Sequence, residues 1–80
     1  MKELLLSIVE GLVEDKSAIT ITEKPENDEG VITLVFSVAK DDMGRVIGKQ
    51  GKIAKAIRTI VRAGAARKGL KVMVDIEEAA

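Results

Sequence analysis

Gly48 and Gly51, with Lys49 and Gln50 between them and Lys52 directly after, are the residues whose types and spacing could do chemistry. Glycine has no Cβ, so a Gly-x-x-Gly turn can take dihedrals closed to other residues and lets a bulky anion approach its backbone amides. A helix starting at Lys52 would add unpaired N–H groups and the positive end of its dipole at the same place. Lys49 and Lys52 would add full charges beside them. The chemistry this implies is phosphate capture, with no bond made or broken. Two glycines three apart are a weak signal alone. Their frame is more specific: Val46 and Ile47 precede the turn, Ile53 and Ile57 follow it, and Arg45 and Lys55 extend the positive charge on either side.

Other chemistries lack their residues. Gly44 to Lys49 has a glycine, three residues and then Gly-Lys, but a P-loop needs four intervening residues and a Ser or Thr after the Lys, where this chain has Gln50. Nucleotide hydrolysis is not expected. With no His, Cys or Tyr, and with Ser7, Ser17 and Ser37 outside any motif that supplies a base, the chain does not read as an enzyme. Metal ligands would have to be carboxylates alone, and Asp28-Glu29 and Asp41-Asp42 lack calcium-loop spacing, so neither a metal nor a cofactor is expected. Lack of cysteine excludes disulfides, and there is no secretory leader or apolar run of about 18 residues, which sets the expectation of a cytoplasmic location away from membranes.

The formal net charge of zero is an average over opposite regions. Residues 1 to 42 carry 4 basic and 10 acidic side chains, whereas residues 43 to 74 carry nine basic and none acidic. A basic block on one part of a domain is the electrostatic footprint of phosphate binding. Lys55, Arg58 and Arg62 share the outer face of the helix after the turn, where they either steer a polyanion or are simply solvated.

The elements that position the turn follow from periodicity. Leu4, Leu5, Ile8, Val9 and Leu12 fall on one helical face opposite Glu3, Ser7, Glu10 and Glu14. Leu6 and Val13 lie at its margin; core is the favoured reading for both, a partner surface the alternative. Ile19 and Ile21 alternate with Thr20 and Thr22, the mark of a half-buried strand, and Lys24 to Gly30 reads as a loop. A second strand runs from Val31 to about Ala39 with Ile32, Leu34, Phe36 and Val38 inward; its other face, with Val31, Thr33, Val35 and Ser37, is either solvated or covered by a second subunit. Asp41 and Asp42 are suited to cap a short helix from Met43 to about Ile47. The helix from about Lys52 to Lys68 should bury Ile53, Ile57, Ile60 and Gly64, with Ala56 and Val61 at the edges of the stripe, the glycine allowing close approach to the sheet, and Gly69 ends it. A last strand turns Val72, Val74 and Ile76 inward. The fold class is therefore α+β, in the order α-β-β-α-α-β, with a three-stranded mixed sheet and three helices on one face. A chain of 80 residues holds one domain, 1 to 80, burying roughly 60% of its unfolded surface.

Val46-Ile47-Gly48-Lys49-Gln50-Gly51-Lys52-Ile53 followed by Ile57, in this order of elements, resembles the signature of the type II KH domain. The resemblance covers almost the whole chain, and a free-standing domain of this length is similar to the small single-domain bacterial KhpA RNA-binding proteins. It implies single-stranded RNA held at the Gly-x-x-Gly loop, with about four nucleotides clamped and bases resting in an apolar groove. On it, Arg45, Val46, Ile47, Gly48, Lys49, Gln50, Gly51, Lys52, Ile53 and Lys55 are the RNA-binding residues, with Val46, Ile47 and Ile53 as groove wall and Lys24 to Gly30 as the variable loop closing the other side. The resemblance further implies an RNA chaperone that homodimerises, pairs with a larger KH-containing protein of the KhpB type and affects cell elongation and envelope homeostasis. The rival reading is a protein-interaction module that dimerises while its partner supplies most RNA binding. Phe36 is the one aromatic residue, so base stacking on rings has little part in either.

Overall fold

Helix α1 spans Lys2–Glu10 in a computed structural model that describes residues 1–77. Its apolar stripe drives it onto the core: Leu5 and Val9 are buried, and Val13, just past the helix, is buried with them. Leu4, Ile8 and Leu12 are half-buried, while Leu6 is 37% exposed and not part of the core expected to include it. Past Gly11 the chain leaves the helix, and Asp15 caps a 3-10 turn at Lys16–Ala18 by accepting from the Ser17 amide at 3.2 Å.

Strands β1 (Thr20–Lys24) and β2 (Val31–Ser37) form an antiparallel hairpin, in register from Thr20 opposite Ser37 to Lys24 opposite Thr33. In the connecting loop, Asn27 Oδ1 accepts from the amides of Glu29 (2.9 Å) and Val31 (3.0 Å). Strand β3 (Lys71–Ile76) pairs with β2 in parallel, Val31 opposite Lys71 through Phe36 opposite Ile76, giving the order β1-β2-β3 and the mixed sheet that the elements predicted. Leu34, Phe36, Val38, Val72 and Val74 are buried on one side of the sheet against Leu5, Val9, Ile57, Val61 and Ala65. On the other side Thr20, Thr22 and Met73 are exposed.

Between β2 and β3 lie helix α2 (Met43–Ile47) and helix α3 (Lys52–Arg67). Helix α3 buries Ala54, Ile57, Val61 and Ala65 rather than the stripe of Ile53, Ile57, Ile60 and Gly64, so the helix is turned by about one position and Ile60 is left 48% exposed. Both stripes have 3-4 spacing; the small alanines let the helix lie close to the sheet, a gain that the size of the isoleucines conceals in the sequence. Gly64 faces α1, not the sheet: a Cβ there would come within 2.9 Å of Leu4 Cδ2 and 3.0 Å of Met1 Cε. At the C-terminus, Gly69 (φ 72°) and Leu70 donate to the carbonyls of Ala66 (3.0 Å) and Ala65 (2.9 Å), the Schellman arrangement expected of a C′ glycine.

Two helical glycines thus differ in a testable way. A Cβ on Gly44 meets nothing within 4 Å. Gly44→Ala is expected to add about 0.5–1 kcal/mol of helix propensity, visible as a Tm rise of a few degrees. Gly64→Ala should gain less, because Leu4 and Met1 must first swing their side-chain ends aside. Thermal unfolding of both variants checks the order.

Candidate nucleic-acid interface

The Gly-x-x-Gly turn is built between α2 and α3 with positive φ at three of its four residues, Gly48, Gln50 and Gly51. The Gly48 amide closes α2 on the Gly44 carbonyl at 2.9 Å, after which Gly48 takes φ 74°, ψ 177°, a region that only glycine enters readily. Gln50 (φ 57°) and Gly51 (φ 75°) are left-handed, and the Gly51 amide returns to the Gly48 carbonyl at 3.2 Å. Gln50 is the one non-glycine with positive φ among the described residues, a strained conformation of the kind concentrated at functional sites. Helix α3 then begins with no side-chain cap. The Gly51 and Lys52 amides are taken up by the Gly48 and Lys49 carbonyls, so an amide open to an outside acceptor lies past them, still within the positive end of a 16-residue helix.

The two glycines serve opposite purposes. A Cβ on Gly48 would sit 2.5 Å from Ile53 Cγ1, so Ile53 fills the space beneath it and locks the turn from inside. A Cβ on Gly51 would meet nothing within 4 Å, so that glycine faces outward and keeps room for an approaching group. Lys49, Gln50, Lys52 and Lys55 are exposed around it.

Beside Gly51 opens a groove of about 410 Å³ lined by Met43, Ile47, Gly51, Ala54, Lys55, Arg58 and Ile76. It has an apolar wall from α2, α3 and the end of β3, with cations on its rim. A second concavity of about 260 Å³, lined by Arg58, Arg62, Met73, Val74 and Asp75, lies further along the same edge, and Arg58 belongs to both. Of the expected wall residues only Ile47 is in place. Val46 is wholly buried in the core, and Ile53 is half-buried under Gly48 instead of facing the groove. Met43, Ala54 and Ile76 are not among the expected residues, and Arg58, expected only on the outer helix face, lines the groove. Met43 is one turn before Ile47 and Ala54 one turn before Arg58, spacing that could have placed them, whereas Ile76 arrives through the parallel β2–β3 pairing, which has no local signature.

Lys24 to Gly30 does not close this groove. The loop sits at the Val31–Lys71 end of the sheet, while the groove lies by Ile76, opposite Phe36, at the other end, about 17 Å along the strand.

Arg45 also has another role. Its Nη2 donates to Glu14 Oε1 at 2.8 Å and its Nε lies 3.2 Å from Asp42 Oδ1, which ties it to carboxylates away from the groove. Asp42 stands at the N-terminus of α2 but makes no side-chain cap there; its buried carboxylate accepts from the amides of Asp15 (3.0 Å) and Glu14 (3.2 Å). The Asp15 amide holds the Asp42 carboxyl below the usual range, burial works against it, and the Glu14 amide and the Arg45 charge act in the same sense as Asp15. This latch joins the exit of α1 to the base of α2. Among the described residues, no helix is long and apolar enough to cross a membrane.

The geometry has counterparts in known proteins. A family model described as KhpA/KhpB, KH domain matches residues 2–76. The chain is 50% identical over 78 residues to the RNA-binding protein KhpA of Listeria monocytogenes serovar 1/2a, covering 98% of this chain and 100% of that one. It is 45% identical to the RNA-binding protein KhpA of Clostridium acetobutylicum, covering 95% and 99%. In fold it is similar to a crystal structure of Aquifex aeolicus Era, with a TM-score of 0.67 at 18% identity over 96% of this chain and 29% of that one. An Era structure in complex with MgGDPNP and nucleotides 1506–1542 of 16S ribosomal RNA superposes with a TM-score of 0.65 at 15% identity, again over 96% of this chain and 29% of the other. The order of elements, the mixed sheet and the Gly48–Gly51 turn lead to one conclusion with these matches: this chain belongs to the KhpA/KhpB family of KH domains.

Proposed function

We propose that this chain is a single KH domain that binds single-stranded RNA without catalysis. The Gly48–Gly51 turn and the positive end of α3 hold the backbone, Lys49, Lys52 and Lys55 supply charge around it, and bases rest on Met43, Ile47, Ala54 and Ile76. The observation that carries this reading is the groove opening beside Gly51 at the uncapped start of α3, inside a stretch of chain free of acidic residues. The names of the relatives, RNA-binding protein KhpA, support it, as does the Era–RNA complex as an example of this fold in an RNA-bound protein. On the same family grounds the domain acts in the cytoplasm as an RNA chaperone, pairs with a larger KhpB-type protein, and influences cell elongation and envelope homeostasis.

The test is a titration of single-stranded oligonucleotides against wild type and the double variant Lys49→Asp with Gln50→Asp. Both side chains are exposed, so the fold should survive, as circular dichroism would show. Affinity should fall roughly tenfold to a hundredfold, and wild-type binding should weaken with rising salt as released counterions lose their advantage. Undiminished binding by the variant, or wild-type binding indifferent to salt, counts against backbone capture at this turn.

A specific observation favours the dimerisation reading as a companion. Exposed Ile60 borders an apolar notch of about 320 Å³ between α1 and α3, lined with it by Leu4, Ala63, Gly64 and Arg67, on a face separate from the groove. Ile60→Glu should convert a dimer to a monomer in sedimentation while leaving the melting temperature within a few degrees of wild type. An unchanged sedimentation coefficient would remove this face from the assembly.

A further inference from the structure

Arg58 differs from the other cations of α3. Lys52, Lys55 and Arg62 are exposed, whereas Arg58 is half-buried and lines both segments of the groove. Its Nε donates to the carbonyl oxygen of Val74 at 3.0 Å, which ties the guanidinium to the outer edge of β3. The opposite edge of that strand is already used: β3 pairs with β2, and the Glu77 amide continues the ladder to the Phe36 carbonyl at 2.8 Å.

With Nε occupied, the donors left are the two terminal amino groups, which have no hydrogen-bond or ion-pair partner among the described residues. A lysine here would be a mobile point charge able to follow a phosphate. A guanidinium fixed through Nε instead offers a planar pair of donors in one orientation. Arg58 itself lies between the apolar wall of Ile47, Ala54 and Ile76 and the strand edge, so a base resting on that wall would come within reach of the pair.

We infer that Arg58 is the specificity-determining residue of the groove, selecting a nucleobase that presents two adjacent acceptors. The inference rests on the groove being the base-binding side of the proposed RNA site. Guanine offers O6 with N7, and cytosine offers O2 with N3. Adenine and uracil alternate acceptor with donor along each edge and leave one donor of the fork facing another donor. A residue that its sequence position marks as an outer charge, either steering a polyanion or solvated, thereby becomes the reader of the strand, while Lys49 and Lys52 only hold it.

The experiment uses four pentanucleotides, uridine at every position except a central C, G, A or U, titrated at one salt concentration against wild type and Arg58→Lys. Wild type should favour the C or G oligonucleotide over A and U by roughly tenfold, the range of one bidentate pair. Arg58→Lys keeps the charge but loses the fork, and should bind all four alike. A further oligonucleotide with 7-deazaguanosine at the centre distinguishes the two sources: it loses the preference if N7 of guanine is read, and the C oligonucleotide leads if O2 and N3 of cytosine are.

Because Arg58→Lys also alters the bond to Val74, a melting curve accompanies it, and Arg58→Gln, which can still donate to that carbonyl, repeats the comparison. An Arg58 that merely braces the strand edge would lower the melting temperature and weaken all four oligonucleotides by one factor, which overturns the inference. So would equal affinity of wild type for the four. Failure of wild type to bind any of them overturns the RNA reading itself, and the specificity reading with it.

Discussion

Gly48→Ala should cost about 3 kcal/mol or more, whereas Gly51→Ala, three residues away in the same turn, should cost about 1 kcal/mol. At Gly48 two penalties add. Its φ of 74° with ψ of 177° lies where only glycine is at ease, a cost of roughly 1–3 kcal/mol, and a new methyl would stand 2.5 Å from Ile53 Cγ1 and 2.9 Å from its Cβ. The Cβ of Ile53 sits on the helix and cannot move far, so the turn must shift instead. At Gly51 only the left-handed conformation is penalised, because nothing lies within 4 Å. A domain of this size is stable by only about 4–12 kcal/mol, so Gly48→Ala should lower Tm by roughly 10–20 °C and displace the loop. Thermal unfolding of both variants, with RNA titration below their melting temperatures, makes the comparison. Equal losses at the two positions would contradict the division of labour between them.

The second large effect is expected at Asp42. Its carboxylate holds two backbone amides of the α1 exit and one nitrogen of Arg45, and it is 3% exposed. Asp42→Ala leaves those amides without an acceptor in a part-buried setting, with a Tm loss on the order of 10 °C. The pH dependence has a fixed sign. The folded state holds the Asp42 carboxyl below its ordinary value of about 3.9, so it favours the ionised form. The stability it contributes is present above that value and is lost as pH falls below it, where the unfolded chain binds the proton first. Asp42→Asn should accordingly be less stable at neutral pH and show a shallower acid limb. If wild type and Asp42→Asn lose stability in parallel between pH 5 and 2, Asp42 is not the group responsible.

These two residues show what was legible in the sequence and what was not. The order of elements, the hairpin, the Gly69 terminator and the inward side of β3 follow from periods of 3.6 and 2 and from turn residues, and they stand in the structure. The turn itself was visible because glycine spacing, flanking aliphatics and a block of positive charge coincide. Three features were hidden for physical reasons. Helix α3 could bury either of two stripes, and the one through Ala54, Ile57, Val61 and Ala65 is buried at the expense of Ile60, a tertiary contest that local pattern does not decide. Val46 and Ile53 were apolar residues beside the site, but Val46 belongs to the core and Ile53 to the underside of Gly48, so adjacency in sequence misplaced the wall. Asp42 had the position of a helix cap and spends its carboxylate on amides 27 and 28 residues earlier, contacts that no local rule reports.

The parallel pairing of β2 with β3 has a consequence in time. The turn, the cations and α3 are all made before Lys71–Ile76, yet the groove takes one wall, Ile76, and the anchor of Arg58, Val74, from that last strand. A chain that ends at residue 70 would have the turn and its cations without the finished groove, and β2 would show its unpaired edge to the solvent. Closing the sheet and completing the groove are then one event, slow in the manner of long-range strand pairing. Discrimination between bases should therefore be the last property this domain acquires as it folds, and the first it gives up when the end of β3 frays.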